Sequence, residues 1–413
     1  MIRIWLVSVL SLVVPSFGCA AERFVAMFAD GSRTEEAEVR DWNEPGSQPK
    51  IGGRALFDPS VPVRWIIDRQ QASSFLKPAT CVEFEGGDRL AGEVVAFSEG
   101  RENPYETKPP FLVVKPVLEV QPPDVNIPAE LRVTTEWARK IVWEHVGSEE
   151  LQPGTVWLRT GASITYRSLR WSAQGIILLT SEGVKQFSFS DLGEIHLLKV
   201  NPWNAYYEQL AVLSPHLKSR LMQIIATDGS RLTTSLERFQ SRHHGDKNRL
   251  EHCYQLIQPA WSLDSIWIRY RTIRSWRFFS PNEVPMSNLT PIQTTHRAVF
   301  GGMWDYQSDQ NIVRGPLRSS DKEFGWGFGV QGTSELVFEY PETARAVRTQ
   351  FGLDRIAETG GCINVEVLVG DGQSVMKQAN LIGSSLVGSV AWQDLPAGRA
   401  EQRRISFRTE MAH

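Results

Sequence analysis

The chain has 413 residues with a formal net charge of −3, and 41% of its residues are hydrophobic. A chain of this length can bury a large core, whereas its charge offers no general attraction for polyanions and argues against a nucleic-acid-binding protein. The 32 Gly and 23 Pro interrupt the chain too often for a helical bundle. Trp and Phe scattered among Val, Ile and Thr favour strands, so we predict a mainly β protein.

Residues 1–21 have the pattern of a secretory signal peptide. Arg3 precedes an apolar run over residues 4–14 that is too short to span a bilayer, and small residues follow as far as Ala21. Lipid attachment at Cys19 is not favoured, because only the residue directly before it fits a bacterial lipobox. No later stretch is long and apolar enough to be transmembrane. We therefore expect an exported, soluble protein, in the periplasm or outside the cell.

Four glycine turns recur between alternating apolar runs. Their glycines are Gly31, Gly87, Gly161 and Gly229. The last three are each followed by an apolar residue three positions later and an aromatic residue ten positions later. A glycine that accepts positive φ between two such runs predicts a β-hairpin. We therefore predict repeated small antiparallel β-units, each opened by one of these turns.

Other elements follow from the pattern between the turns. The alternating run over residues 176–198 predicts a strand meander, and the apolar spacing over residues 204–213 predicts one short helix. Two proline-rich stretches, residues 103–128 and 281–295, are typical of linkers or long surface loops. The predicted domains are a signal peptide at 1–21, β-regions at 22–128 and 129–295, each with two hairpin units, and a C-terminal β-sandwich at 296–413.

Cysteine and histidine usage predicts neither disulfides nor a metal. Beyond Cys19, three widely spaced cysteines remain, and a small buried residue is the better interpretation for each. One cluster has metal-ligand chemistry but lies in a polar, Gly-interrupted stretch typical of an exposed loop; it consists of His243, His244, Asp246, His252 and Cys253. We predict no metal site and no cofactor.

The C-terminal region contains a characteristic series of short motifs. In order these are Gly327-Phe328-Gly329-Val330, Ser334-Glu335-Leu336-Val337-Phe338, Phe351-Gly352-Leu353-Asp354 and Gly360-Gly361, followed by a Val-rich strand. Short strands separated by turns at this spacing predict an antiparallel sandwich. The series resembles the NPCBM family of carbohydrate-binding modules in bacterial exported proteins. The resemblance covers roughly residues 300–413 and implies a galactose-binding-like jelly-roll fold.

The chain departs from the family pattern in two places. Gln331 stands where the family frequently has histidine, and the family's last strand, which is rich in Asp and carries a Trp, is absent. Residues 398–404 are polar instead and precede only a short apolar segment over 405–409. If that segment cannot replace the absent strand, we expect the sandwich to be left with an exposed edge of unpaired backbone groups.

Candidate ligand-contacting residues come from the chemistry of sugar recognition. Sugars present flat C–H faces to aromatic rings, while their hydroxyls need polar partners at the rim. The candidates are Trp304, Asp305, Trp326, Gln331 and Asp354. A core position is the alternative for each tryptophan, and capping of a turn is the alternative for Asp354.

The sequence favours a non-catalytic glycan-binding protein. Candidate acids such as Glu83, Asp88 and Asp264 lie beside turns or in polar runs, and no nucleophile elbow, phosphate loop or zinc helix is present. The expected partner is a polysaccharide or other glycan. An envelope scaffold that binds other proteins is the alternative, and an accessory part of a glycoside hydrolase is less favoured.

Overall fold

The computed structural model describes residues 22–42, 48–71, 78–103, 106–121, 130–147, 151–198, 202–213, 220–243, 253–297, 302, 304–320, 322–370, 374–383, 387–396 and 403–412. These residues are mainly β, as predicted, with antiparallel pairing throughout and one α-helix among them. None of the helices in these ranges has the length and apolar character that a membrane crossing needs. The predicted signal peptide lies outside the described residues.

The four predicted glycine turns are confirmed and share one backbone geometry. Gly31, Gly87, Gly161 and Gly229 have φ values of 82°, 84°, 85° and 88°. In each turn the glycine N–H donates to the carbonyl three residues earlier, and the N–H of that earlier residue donates to the carbonyl of the residue after the glycine. This is a three-residue hairpin loop, in which glycine occupies the left-handed position without steric cost.

Each turn opens one β-unit, and the strands of the four units follow one another in chain order. Unit 1 contains β1 (Phe24–Phe28), β2 (Arg33–Glu36), β3 (Lys50–Ile51), β4 (Arg54–Ala55) and β5 (Val63–Asp68). Unit 2 contains β6 (Cys81–Phe84), β7 (Arg89–Ser98), β8 (Arg101–Asn103), β9 (Glu106–Lys108), β10 (Phe111–Pro116), β11 (Leu131–Thr134) and β12 (Ala138–Val142). Unit 3 contains β13 (Thr155–Leu158), β14 (Ser163–Thr165), β15 (Ser168–Ser172), β16 (Gly175–Thr180), β17 (Gly183–Ser188) and β18 (Leu192–His196). Unit 4 contains β19 (Leu221–Ala226), β20 (Arg231–Ser235), β21 (Gln240–His243), β22 (Cys253–Ile257), β23 (Ile266–Arg269) and β24 (Ile273–Phe279).

The units share one internal topology. The first strand of each hairpin pairs on one side with the second strand and on the other side with the last strand of its unit, as in β1·β5, β6·β12, β13·β18 and β19·β24. In units 3 and 4 the middle strands form a separate three-stranded sheet, and a 3-10 helix (Phe189–Asp191 or Tyr270–Thr272) directly precedes the last strand. The repeat seen in the sequence is therefore a repeat of a whole folding unit.

The units join edge to edge in the spatial order 3-2-4-1. Last strands pair with last strands at two joints, β12 with β18 and β24 with β5. At the central joint, the second hairpin strands β7 and β20 meet through the pair Arg89 and Arg231. There Arg89 Nε donates to the Gly229 carbonyl at 3.1 Å and Arg231 donates to the Gly87 carbonyl at 3.2 Å. The two bonds are reciprocal, so the hairpin turns of units 2 and 4 make equivalent contacts across the central joint.

Predictions for the segments between hairpins have mixed outcomes. The meander is confirmed as β16 and β17, and the helix is confirmed as α1 (Pro202–Leu213), which begins on a proline whose missing N–H would have no helical partner. The linker interpretation of residues 103–128 is wrong for β10, because its Leu112 and Val114 are fully buried and the prolines lie only at its ends. Within residues 281–295, Asn288 is likewise buried.

The C-terminal domain is a separate antiparallel β-sandwich. Its strands are β25 (Gln293–Arg297), β26 (Gln307–Ser308), β27 (Arg318–Ser319), β28 (Lys322–Glu323), β29 (Phe328–Gly329), β30 (Thr333–Glu339), β31 (Ala346–Gly352), β32 (Cys362–Val369), β33 (Ser374–Ile382), β34 (Val387–Asp394) and β35 (Arg404–Met411). A five-stranded sheet of order β25-β30-β35-β32-β33 packs its Leu336, Phe338 and Val367 against Val347 of the β31·β34 pair.

The short C-terminal segment takes the place of the absent strand. Residues Arg404–Met411 form an eight-residue strand that pairs with β30 on one side and β32 on the other, so it lies at the centre of the five-stranded sheet. Its inward residue Ile405 is buried, while the arginines on either side lie at the surface or half-buried. Alternation of Ile405 and Phe407 with polar residues over a short run supplies the required apolar face.

Candidate functional site

The C-terminal domain is fixed to the β-units by a buried carboxylate. Asp309 Oδ2 lies 2.5 Å from Arg231 and 2.8 Å from Arg277, both of unit 4. Its Oδ1 accepts a hydrogen bond from the Gly327 amide at 3.2 Å. Burial alone would raise the pKa of Asp309, but the two guanidinium groups lower it to about 2. Asp309 therefore serves to hold the domain in place.

Trp326 lies at the contact between this domain and unit 1. The guanidinium carbon of Arg64 lies 5.3 Å from the Trp326 ring centroid. A Cβ on Gly325 would come within 2.4 Å of the Trp65 ring, so only glycine lets this loop lie against Trp65. Trp326 is half-buried here. The structure does not bring it into ring contact with Trp304 among the described residues.

Trp304 is the exposed aromatic residue of the domain. Half of its surface, 50%, is accessible, and no other tryptophan whose side chain is described is exposed to this degree. Its backbone N–H donates to Gln331 Oε1 at 3.2 Å. A Cβ on Gly302 would lie 3.2 Å from Trp304 Nε1, so the backbone at Gly302 passes close to the indole. The structure thus brings two predicted residues, Trp304 and Gln331, together.

A hydrogen-bonded series extends from this pair into the sheet. Ser334 Oγ donates to the Gln331 carbonyl at 2.5 Å and also contacts His296 Nδ1 at 3.0 Å. The His296 ring lies nearly parallel to Tyr306, with centroids 6.4 Å apart. Sequence reasoning missed His296 and Tyr306. No local signal marked them, because the contacts of His296 with Ser334 and of Tyr306 with Phe328 join residues more than 20 positions apart.

The remaining two predicted residues have different surroundings. Asp305 is exposed beside Trp304, and its carbonyl accepts a hydrogen bond from Gln307 Nε2 at 3.1 Å. Asp354 caps the 3-10 helix Arg355–Ala357 by accepting from the Ile356 N–H at 2.9 Å, and its other oxygen accepts from Asn311 at 3.0 Å. The turn-capping alternative for Asp354 is therefore confirmed.

A second buried ionic cluster lies at the joint between units 2 and 3. Glu194 is 2.7 Å from Lys140 Nζ and 3.1 Å from His196 Nε2, and all three side chains are buried. Burial alone would raise the pKa of Glu194, but hydrogen bonds from His145, His196 and Lys140 lower it well below its usual range. Burial lowers the pKa of His196. The cluster satisfies its own charges within the joint.

The acids considered for catalysis are held in structural interactions. Glu83 lies 3.2 Å from Arg139, and Asp264 lies 2.6 Å from Arg132. Asp88 is buried and accepts hydrogen bonds from Thr233 at 2.6 Å and from Trp261 Nε1 at 2.9 Å. Each of these three carboxylates stabilises the β-units.

The stretch considered for metal binding is only partly described. His243 pairs with Cys253 across β21 and β22, and Cys253 is buried; His244, Asp246 and His252 lie outside the described residues. Within the described ranges, no group of three or more His, Cys, Asp or Glu side chains is arranged to hold a metal.

Comparison with known proteins places the C-terminal region in a domain family. Residues 282–391 match the family model of the NPCBM/NEW2 domain. No curated protein sequence matches the chain. The match begins ahead of β25, the strand on which the predicted domain boundary falls.

Several solved structures show distant similarity. A CBM51 from Clostridium perfringens GH95, in complex with methyl-galactose, is 14% identical over 31% of this chain and 86% of that one, with a TM-score of 0.27. The CBM51-2 and INT domains of C. perfringens ZmpB, in complex with GlcNAc, are 14% identical over 44% of this chain and 40% of that one, with a TM-score of 0.26.

A third structure joins the M60 catalytic domain of ZmpB to its CBM51-1 and CBM51-2 domains. It is 9% identical over 94% of this chain and 49% of that one, with a TM-score of 0.25. The chain thus spans about half or less of the two ZmpB structures. TM-scores this low do not establish a shared fold. The fold of this chain is given by its own sheets. The region 282–391 of this chain is an NPCBM/NEW2 domain.

Proposed function

We propose that the protein is an exported, non-catalytic glycan-binding protein that holds a sugar against Trp304. The observation that carries the proposal is a half-exposed tryptophan, fixed through Gln331, in a domain of a carbohydrate-binding-module family. An indole left at the surface offers an apolar platform for the C–H face of a sugar ring. Polar side chains beside it can then select hydroxyl groups.

We assign the polar contacts to Asp305 and Gln331. Asp305 is exposed next to the indole, and its carboxylate can accept hydrogen bonds from sugar hydroxyls. Gln331 uses its Oε1 to hold the Trp304 backbone, which leaves its amide N–H groups as donors for a ligand. Trp326 and Asp354 already have protein partners, in Arg64 and Asn311, and we assign them to the structure of the domain.

Direct binding measurements test this site. Wild-type protein is screened on a glycan array, and the affinity for a neutral sugar that binds is measured by calorimetry for Trp304→Ala and Gln331→Ala. We expect Trp304→Ala to abolish measurable binding without changing the melting temperature. Ile382→Ala is the matched control, because Ile382 is an apolar residue of the same domain with 60% exposure. Equal binding by Trp304→Ala and wild type would refute the assignment.

The non-catalytic and exported parts of the proposal need separate tests. Incubation with a polysaccharide panel should release no reducing sugar, and release that is lost on substitution of one Asp or Glu would contradict this. Fractionation of the native host should recover the protein outside the cytoplasm, with a mature N-terminus near Glu22. Recovery in the cytoplasm with residues 1–21 intact would contradict export.

A protein-binding scaffold is the competing function. Its support is an exposed apolar pair on unit 3, Leu179 and Val184, which face each other across β16 and β17 with 45% and 71% exposure. Surface patches of this kind can mark protein contacts. Loss of an envelope-protein partner in Val184→Lys, together with a blank glycan array, would favour the scaffold.

A further inference from the structure

A charged cleft lies between unit 1 and the C-terminal domain. Its volume is about 370 Å³, and its lining residues come from β2, from the residue after β5, from the β27–β28 hairpin and from the 3-10 helix Arg355–Ala357. The lining consists of Arg33, Glu35, Arg69, Arg318, Ser320, Lys322, Glu323 and Arg355. Five of these side chains are cationic and two are carboxylates, a local excess of three positive charges in a chain whose net charge is −3.

The two carboxylates are already shared among three arginines. Glu35 lies 2.5 Å from Arg33 and 2.7 Å from Arg69. Glu323 lies 3.4 Å from Arg69 and 3.0 Å from Arg318. These contacts form one continuous ionic chain from unit 1 to the β27–β28 hairpin, and they hold the walls of the cleft in place.

Two further cations lie outside this chain. Lys322 and Arg355 are exposed, and neither has a carboxylate oxygen within 4 Å among the described residues. Asp354, next to Arg355 in sequence, is engaged by Asn311 and the Ile356 amide; Asp321, next to Lys322, lies outside the described residues. Lys322 and Arg355 are therefore the cations of the cleft that are left for a ligand.

The surroundings of the cleft strengthen its positive potential. Arg274 lies on the buried strand β24. Burial, followed by the positive charges of Arg277 and Arg318, lowers its pKa to about 10 against the opposing effect of Glu323. Ser320 has a φ of 57°, a left-handed conformation that serine rarely adopts. This turn fixes the direction of the hairpin that carries Arg318, Lys322 and Glu323.

We propose that this cleft binds an anionic sugar residue, one that carries a sulfate ester or a carboxylate, through Lys322 and Arg355. Guanidinium and ammonium groups form their strongest hydrogen bonds with such oxyanions. The volume lies near the lower end of the range for small-molecule pockets and exceeds the size of a bare ion. That the anion is carried by a sugar rests on the proposed function; the site itself is separate from Trp304.

The test measures three probes by calorimetry at low ionic strength. These are a sulfated, uronate-containing disaccharide of the heparin type, a neutral disaccharide and sodium sulfate. The proteins are wild type, the double variant Lys322→Gln with Arg355→Gln, Trp304→Ala, and Arg348→Gln, which removes an exposed arginine elsewhere on the domain. Melting temperatures verify folding, and the double variant spares the ionic chain that joins the cleft walls.

We expect the charged disaccharide to bind wild type, Arg348→Gln and Trp304→Ala alike, and the double variant roughly 100-fold more weakly, about tenfold for each charged hydrogen bond lost. Unchanged binding by the double variant would overturn the site. Equal affinity for sodium sulfate would overturn the sugar as carrier. Loss of charged-disaccharide binding in Trp304→Ala alone would support the Trp304 site and refute the cleft. If no neutral glycan binds but the charged disaccharide still binds the cleft, the cleft is supported and the Trp304 site is refuted.

Discussion

The two joints between last strands have the same backbone pairing but different chemistry. At the joint of units 2 and 3, Ile141 faces Ile195, and the flanking pairs contain Lys140, His196 and Glu194. At the joint of units 4 and 1, Trp276 faces Ile66, and Arg277 faces Trp65. The first joint contains both signs of charge. The second contains the cation Arg277, whose carboxylate partner, Asp309, comes from another domain.

This difference identifies the role of the second joint as the platform for the C-terminal domain. Arg64, Trp65 and Arg277 all lie on its two strands, and each contacts the domain, through Trp326, Gly325 and Asp309 respectively. Removal of one partner from a buried ion pair costs more than the pair contributes, because the remaining charge stays desolvated. The array of units and the domain are consequently coupled in stability.

Removing Asp309 should weaken the attachment of the C-terminal domain to the second joint and leave the first joint unaffected. Asp309→Ala leaves Arg231 and Arg277 buried together without their carboxylate, and we expect the free energy of unfolding to fall by about 3–5 kcal/mol. Urea denaturation measures this loss. Asp305→Ala, which removes an exposed carboxylate of the same domain, should change the stability by less than about 0.5 kcal/mol. Similar stabilities for the two variants would show that Asp309 does not hold the domain.

The turns show how far local sequence specifies this fold. Gly161 and its counterparts could be predicted because a hairpin loop is decided by a few neighbouring residues, and α1 by its own apolar spacing. The order 3-2-4-1, the burial of Asp309 and the central position of β35 depend on contacts between residues far apart in the chain. The same limit applied to the candidate site. The contact of Trp304 with Gln331 joins residues 27 positions apart within one domain, and the contact of Trp326 with Arg64 required the docking of two domains.

Two of the glycine turns differ in their surroundings: the turn at Gly87 is packed against Asn288, and the turn at Gly161 is open. A Cβ on Gly87 would lie 2.5 Å from the Asn288 carbonyl oxygen, whereas a Cβ on Gly161 would meet nothing within 4 Å. Both glycines have positive φ, so Gly161→Ala should cost about 1 kcal/mol and Gly87→Ala about 1–3 kcal/mol more. Thermal denaturation of the two variants measures the difference. Equal losses of stability in the two variants would mean that the backbone near Asn288 shifts to accommodate the Cβ without a loss of free energy.

The two joints should also respond to acid at different pH. The pKa of His196 is lowered in the folded protein, so the unfolded chain takes up its proton first and the joint of units 2 and 3 loses stability as pH falls below about 6.5. The pKa of Asp309 is lowered from 3.8 to about 2, so the stability it confers at the other joint, about 2 kcal/mol, is lost only between about pH 4 and pH 2.

Unfolding free energies from pH 7 to pH 2 test this difference. Wild type and Asp309→Asn should follow parallel curves above pH 4 and converge below it, whereas His196→Gln should flatten the curve near pH 6. Curves that stay parallel down to pH 2 would contradict the assignment of the acid-sensitive step to Asp309.

The nesting of units, with 2 beside 3 and 1 beside 4, has a consequence for how the chain is made. Strand β5 ends at Asp68, and its partner β24 begins at Ile273, about 200 residues later. Synthesis proceeds at roughly 5–20 residues per second, so β5 of unit 1 stays unpaired on that side for about 10–40 s until β24 has been made. Units 2 and 3 are consecutive in the chain and can pair as soon as both have been made. An unpaired strand edge is a template for association with other chains. During biosynthesis, therefore, the edge of the first unit to appear stays open to such association for longer than the edge of unit 2 that pairs with unit 3.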